Sequence, residues 1–185
     1  MSIHFDESYS LIGVKMGSLL WITGLSASGK TTISHLVVDA LRQEGSQILL
    51  LDGDDLRKVL SENQSHTRSD RLRIGLVYCR LCKLLVDQGF NVVIATVALF
   101  SEIHEWNRQN IENYIEVFID VPIEELVRRD PKKIYEKFFN GEIKNVAGLD
   151  LEVDFPKNPH LHVIHEDGLN ADQIAERVLC LIRNA

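Results

Sequence analysis

Apolar and polar positions along the chain fall into two alternating patterns. Short apolar runs bounded by glycine or polar residues occur at 18–23, 47–51, 91–97, 114–121 and 160–165, and each reads as a strand. Between the first two, Ile33, Leu36, Val37, Ala40 and Leu41 recur at helical spacing, and Gly45 closes the stretch. The segment 71–88 is apolar nearly all round (Leu72, Ile74, Val77, Leu81, Leu84, Leu85) and stops at Gly89. Such a pattern predicts a helix buried against a sheet. A last helix starts at Asn170-Ala171-Asp172-Gln173, a capping-box arrangement, and runs through Ile174, Val178, Leu181 and Ile182. Strand and helix alternate almost from end to end, which predicts an α/β fold: a parallel sheet with helices on both faces. Two segments break the alternation: a polar stretch at 61–70, and a long charged one at 130–159 with prolines at its end. Irregular stretches of that length inside a compact domain usually carry function, often as lids.

The bulk properties narrow the class. At 185 residues the chain fits one domain, 1–185, with a small lid and a sizeable core. Apolar content of 45% and charged content of 25% are ordinary globular values. A net charge of −7 argues against a nucleic-acid partner, which would need a basic face. The first residues, Met1-Ser2-Ile3-His4-Phe5-Asp6-Glu7, carry no signal-peptide pattern, and no apolar run approaches the roughly 20 residues that span a bilayer. Three cysteines do not make a disulfide framework and fit a reducing compartment. The expectation is a cytoplasmic protein with no membrane partner.

The chemistry begins at residues 24–32, Gly24-Leu25-Ser26-Ala27-Ser28-Gly29-Lys30-Thr31-Thr32, which match the G-x-x-x-x-G-K-[ST] phosphate-binding loop between a predicted strand and a helix. Gly24 and Gly29 let the backbone wrap tightly, and the N–H groups of Ser28, Gly29, Lys30 and Thr31 at the helix N-terminus point at an anion. Lys30 would reach the β- and γ-phosphates of a nucleoside triphosphate, and the Thr31 hydroxyl would hold Mg²⁺. The second strand leads into Asp52-Gly53-Asp54. Strand C-termini of a parallel sheet open onto one crevice, so both carboxylates should face the loop. One would organise Mg²⁺ and one would accept the proton of an acceptor hydroxyl; a capped turn is the bland alternative. A basic knot, Arg128-Arg129-Asp130-Pro131-Lys132-Lys133, opens the long irregular stretch. Arg129 there suits a lid closing over a triphosphate, whereas Lys133 suits a solvated helix end.

These blocks together resemble adenylylsulfate kinase. The resemblance rests on 24–32, Asp52-Gly53-Asp54 with Arg57, Asp70-Arg71, Arg129-Asp130-Pro131-Lys132 with Tyr135, Gly141-Glu142-Ile143-Lys144 and Gly148-Leu149-Asp150, in the family's order over about residues 18–165. It implies a P-loop kinase sandwich with a five-stranded parallel sheet and a small lid at about 128–159. It also implies transfer of the ATP γ-phosphate to a nucleotide ribose 3′-hydroxyl, Mg²⁺ and a homodimer. By the same carry-over, Asp52 and Asp54 are the metal-organising and proton-accepting carboxylates. Arg57, Arg71 and Lys144 contact the acceptor nucleotide, and Arg129 and Lys132 are lid residues near ATP. The departures fall on the acceptor side. The family stacks the acceptor's adenine between two phenylalanines; here 61–70 has none, and the second motif reads Lys144-Asn145-Val146-Ala147-Gly148. Arg73-Ile74-Gly75-Leu76-Val77 and Thr96-Val97-Ala98-Leu99 also differ from the family's pattern. The segment from Phe100 to Arg108 resembles a related group that phosphorylates cytidine diphosphoramidate in bacterial capsule pathways. Three readings stay open: an adenylylsulfate-type kinase, a cytidine diphosphoramidate kinase, and a catalytically silent nucleotide sensor. A GTPase is disfavoured because no Asn-Lys-x-Asp motif occurs.

Other signals read as structure. Cys79-x-x-Cys82 lies inside an apolar helical run and suits packing better than redox or zinc chemistry. His160, His162 and His165 crowd the last strand, but alternation puts His165 on the face opposite the other two. Trp21 suits the core, and Trp106 is open between core and acceptor crevice.

Overall fold

A computed structural model describes residues 17–60 and 66–184. Five strands, β1 (Leu19–Thr23), β2 (Ile48–Asp52), β3 (Asn91–Thr96), β4 (Tyr114–Asp120) and β5 (Leu161–Ile164), form one sheet in the order β2-β3-β1-β4-β5. Every pairing is parallel. The helices among the described residues are α1 (Lys30–Gln43), α2 (Gly53–Leu60), α3 (Arg68–Asp87), α4 (Ser101–Asn110), α5 (Ile123–Arg129), α6 (Ile134–Phe139) and α7 (Ala171–Arg183).

All five residues of β1 are buried, because both faces of the sheet are covered. Leu20 and Ile22 point into one layer with Val37 and Leu41 of α1 and Val178 of α7. Leu19 and Trp21 point into the other with Tyr78 and Cys79 of α3 and Ile103 of α4. Cys82 is buried beside Cys79, and burial pushes both thiols up, Cys79 to about 12. These are packing groups with inert thiols. Trp21 is fully buried, and Trp106 packs partly buried against the second layer.

The ends of two elements shift from the sequence expectation. Helix α3 begins at Arg68 rather than 71, because the Thr67 hydroxyl accepts the Asp70 N–H and caps a first turn that contributes no apolar stripe. The predicted polar loop at 61–70 therefore divides: 61–65 lie outside the described residues, and 68–70 are helical. Within 130–159, residues Ile134–Phe139 fold as α6, with both Asp130 carboxylate oxygens accepting backbone N–H groups from Ile134 and Glu136. At α7 the capping box is complete: Asn170 accepts from Gln173 N–H, and the Gln173 side chain accepts from Asn170 N–H.

Among the described residues one carboxylate is wholly buried. Glu116 of β4 projects into the second layer, where its Oε1 accepts from Tyr114 Oη at 3.0 Å and lies 2.5 Å from His104 Nδ1. Its Oε2 pairs with Arg108 of α4, and its N–H donates to His160 Nδ1 at 2.9 Å.

Candidate active site at the strand termini

β1 lies between β3 and β4. The chain builds β2 and β3 on one side of it and then β4 and β5 on the other, so a crevice opens at the β1 C-terminus where the strand order reverses. The turn after β1 needs its glycines. Gly24 has φ +154°, and a Cβ there would stand 2.4 Å from the Ile119 carbonyl oxygen. Gly29 (φ +95°) N-caps α1 in the left-handed region, and Ala27 (φ +64°) is held there despite its methyl. A strained non-glycine residue of this kind is typical of ligand-binding turns. Ser28 and Lys30 are buried under the loop; Lys30 Nζ donates to Leu25 O at 2.6 Å and lies 3.3 Å from Ser28 Oγ. Burial, reinforced by Lys132 and opposed by Asp54 and Asp52, lowers the Lys30 ammonium to about 8.

The acidic pair sits directly opposite. Asp52, the last residue of β2, accepts from Thr31 Oγ1 at 2.8 Å on one oxygen and from Asp54 N–H at 2.8 Å on the other. Gly53 between them lets the turn rest on β3, since a Cβ there would meet Thr96 Oγ1 at 2.8 Å. The Asp54 carboxylate is ion-paired with Lys132. Burial opposes its ionisation, yet Lys132, Arg57 and Lys30 prevail and hold the carboxyl below the usual range.

Arg57 of α2 and Arg71 of α3 line the far end of the cavity. Arg57 Nη1 is 3.2 Å from His66 Nδ1. Arg71 donates to the carbonyls of His66 (3.1 Å) and Asn145 (2.8 Å), and burial with Arg57 nearby lowers it to about 10. On the opposite side Arg129 donates to Glu125 Oε1 at 2.7 Å and stands 3.5 Å from His165 Nδ1. Lys144 is exposed and outside the cavity lining, beside Asp150. Thr32, Thr31, Gly29, Ser28 and Ala27 line the cavity; Gly24 shapes the loop from below. The cavity holds about 620 Å³, within the range of small-molecule sites.

Several contributors carry no role in the sequence reading. Tyr135 is fully buried and donates to Ser26 O at 3.0 Å, fastening α6 to the phosphate loop. Gly148 (φ +83°) abuts Leu25, whose Cδ1 would lie 2.9 Å from a Cβ there. Phe100, at the end of the loop after β3, and His165 also line the cavity. Phe100 is the one aromatic residue of the loop joining β3 to α4, a weak signal; Tyr135 had only its place in a matching block. Trp106 is not among the lining residues. The three histidines part company: His160 serves Glu116, His162 Nε2 is 2.9 Å from Asp120 Oδ2, and His165 faces Arg129.

A parallel sheet carrying this phosphate loop, with an acidic turn on the adjacent strand terminus, is the architecture of a P-loop kinase. Residues 16–164 match the adenylylsulphate kinase family, and the chain belongs to that family. It is 39% identical over 139 residues to the cytidine diphosphoramidate kinase of Campylobacter jejuni, covering 75% of this chain and 81% of that one. It is 36% identical over 160 residues to the adenylyl-sulfate kinase of Pseudomonas aeruginosa, covering 85% and 82%. The fold superposes on the APS kinase of Mycobacterium tuberculosis in complex with AMPPNP and APS with a TM-score of 0.83, at 32% identity and coverage of 91% and 98%. The chain is an ATP-dependent kinase of nucleotide substrates. Among the described residues no helix is long and apolar enough to cross a membrane.

Proposed function

We propose that the enzyme transfers the ATP γ-phosphate to a ribose hydroxyl of a modified nucleotide, in the manner of adenylylsulfate kinase (adenylylsulfate to 3′-phosphoadenylylsulfate). The observation that carries this reading is the linked set Thr31–Asp52–Asp54–Lys132, which joins the phosphate loop to a carboxylate facing the acceptor end. The loop N–H groups from Ala27 to Thr32 and the Lys30 ammonium bind the β- and γ-phosphates. Thr31 and Asp52 offer one hydroxyl and one carboxylate, the sparse oxygen set Mg²⁺ takes beside substrate phosphates. Bound there, Mg²⁺ would neutralise charge on the phosphate oxygens. Asp54, kept ionised, accepts the hydroxyl proton as the new O–P bond forms and the β–γ bridge breaks, leaving ADP. Donor phosphates draw Lys132 from Asp54, so that the lid segment (about 128–159) closes with Arg129 over ATP. Arg57 and Arg71 take the acceptor's phosphate, and Lys144 is the further acceptor contact that the family resemblance implies. The free thiols Cys79, Cys82 and Cys180 suit a cytoplasmic enzyme. A homodimer is the assembly that the family resemblance implies.

A second reading, cytidine diphosphoramidate as acceptor, is favoured by Val146, which stands where the family carries its second phenylalanine. Base stacking on an aromatic ring contributes about 1–3 kcal/mol, and a smaller pyrimidine depends less on it. ADP release measured with adenylylsulfate, with cytidine diphosphoramidate and with neither tests both. The proposal predicts acceptor-dependent ADP with one of them. Release no greater than the blank with both contradicts it.

Lys30 also predicts a pH dependence. Because its ammonium is lowered to about 8, the free protein loses this proton as pH rises through 8, whereas triphosphate favours the charged form. ATP binding should therefore take up a proton and weaken progressively above pH 8. Calorimetry in buffers of differing ionisation enthalpy checks this; zero proton uptake at pH 8.5 contradicts it. The stability sign is opposite. The unfolded chain binds more protons between pH 8 and 10.5, so this group adds stability as pH rises across that window.

A further inference from the structure

One wall of the cavity is a strap, residues 145–154, whose two ends are tied to the first turn of α3. At the start of the strap, Arg71 Nη2 donates to Asn145 O at 2.8 Å. At its end, Arg68 Nη2 donates to Asp154 Oδ2 at 2.8 Å. The same Asp154 oxygen accepts the N–H of Ser101, the first residue of α4, at 3.2 Å, and Asp154 N–H donates to Leu99 O at 2.9 Å. Asp154 thus joins three pieces of chain: α3, the β3–α4 junction and the strap. The Arg68 guanidinium stands 5.0 Å over the ring of Phe100 and 3.7 Å from Glu102.

The strap is internally braced. Asp150 accepts the N–H groups of Asn145 (2.8 Å) and Val146 (2.7 Å), and Gly148 N–H donates to Leu151 O at 3.0 Å. A braced segment moves as a unit, so its end fixings decide where Ala147 and Val153, which line the cavity, stand relative to Phe100. Arg68 and Asp154 do not line the cavity themselves.

We infer that Arg68 is a positioning residue for acceptor specificity: with Asp154 it clasps the strap shut and sets the width of the acceptor pocket. The inference rests on the nucleotide-kinase reading above. The pair is 41% and 35% exposed, and such a pair adds little to stability. Its consequence is geometric, because misplacing a wall by a fraction of an ångström acts first on acceptor binding, whereas the phosphate loop meets the strap where Leu25 packs on Gly148.

The test is steady-state kinetics of Arg68→Ala, Asp154→Ala and the double variant, with whichever of adenylylsulfate and cytidine diphosphoramidate the wild type uses. Arg68→Ala should raise acceptor KM about tenfold with ATP KM changed less than about twofold, a split that a general loss of folded protein does not produce. The double variant should be no worse than the poorer single, as for residues acting through one link. Backbone amides of 145–154 should exchange faster in Arg68→Ala while those of β1 and β3 stay protected. If Arg68→Ala does not fold, Arg68→Met, which keeps an unbranched stem but cannot donate to Asp154, takes its place. Unchanged acceptor KM, equal rises in both KM values, or additive single effects overturn the clasp. A wild type that turns over neither acceptor overturns the kinase reading instead, and the clasp with it.

Discussion

Asp54→Asn should lower turnover by about 10²- to 10⁴-fold, the usual contribution of a positioned general base, while leaving ATP affinity within about threefold, well under 1 kcal/mol. The amide keeps the size and the hydrogen-bonding edge of the carboxylate but cannot take a proton. It also frees Lys132, whose partner in the structure is Asp54. Since Lys132 is proposed to leave Asp54 for the donor phosphates, removing the competing carboxylate cannot weaken ATP binding by that route. Asp52→Asn should behave differently: Asp52 bonds Thr31 and the Asp54 N–H, so its loss should weaken Mg²⁺-dependent ATP binding as well as turnover. The comparison is made by calorimetric ATP binding alongside single-turnover kinetics. Full activity in Asp54→Asn would remove Asp54 from the chemistry.

The second large effect concerns stability. Glu116 is completely buried, and its charge is matched by Arg108 together with hydrogen bonding from Tyr114 and proximity to His104. Glu116→Ala leaves the guanidinium of Arg108 without its buried partner and the Tyr114 hydroxyl without its acceptor. Arg108 is one-third exposed and keeps its bond to the Asn158 carbonyl, so the cost falls on the unpaired Tyr114 hydroxyl and the emptied volume, together about 2–4 kcal/mol. At roughly 2–4 °C per kcal/mol for a chain of this size, the melting temperature should fall by about 10 °C. Because Glu116 does not line the cavity, the folded fraction should keep its ATP affinity at low temperature. Thermal unfolding followed by circular dichroism provides the check, and a melting temperature within about 2 °C of wild type would contradict this account of the second layer.

Much of the fold is legible in the chain because its signals are local. Five apolar runs each stand between glycine or polar residues, and the phosphate loop is a contiguous string whose neighbours are right. The α7 capping box needs only Asn170 and Gln173, three residues apart. What is not legible depends on residues brought together from afar. Lys132 meets Asp54 across 78 positions and Tyr135 meets Ser26 across 109; neither pairing has a periodic or motif signal. Helices α5 and α6 are seven and six residues long, too short for a stripe, and α6 is fixed by the Asp130 carboxylate rather than by an apolar face. Glu116 sits inside a run that reads as a strand, and the partners that make its burial tolerable lie on α4 and at His160. On the candidate site, the donor half is a string and the acceptor half is a surface. Arg57 and Arg71 line the cavity, whereas Lys144 is exposed outside its lining, a position that follows from how the 145–154 strap lies.

On the proposed mechanism the γ-phosphate of ATP ends on a hydroxyl of a second nucleotide. Phosphorus NMR of a reaction with ATP, Mg²⁺ and either adenylylsulfate or cytidine diphosphoramidate follows both products in one tube. ADP signals should grow in step with one new phosphomonoester resonance on the acceptor. Inorganic phosphate appearing in its place, or ATP signals unchanged with both acceptors, would contradict it.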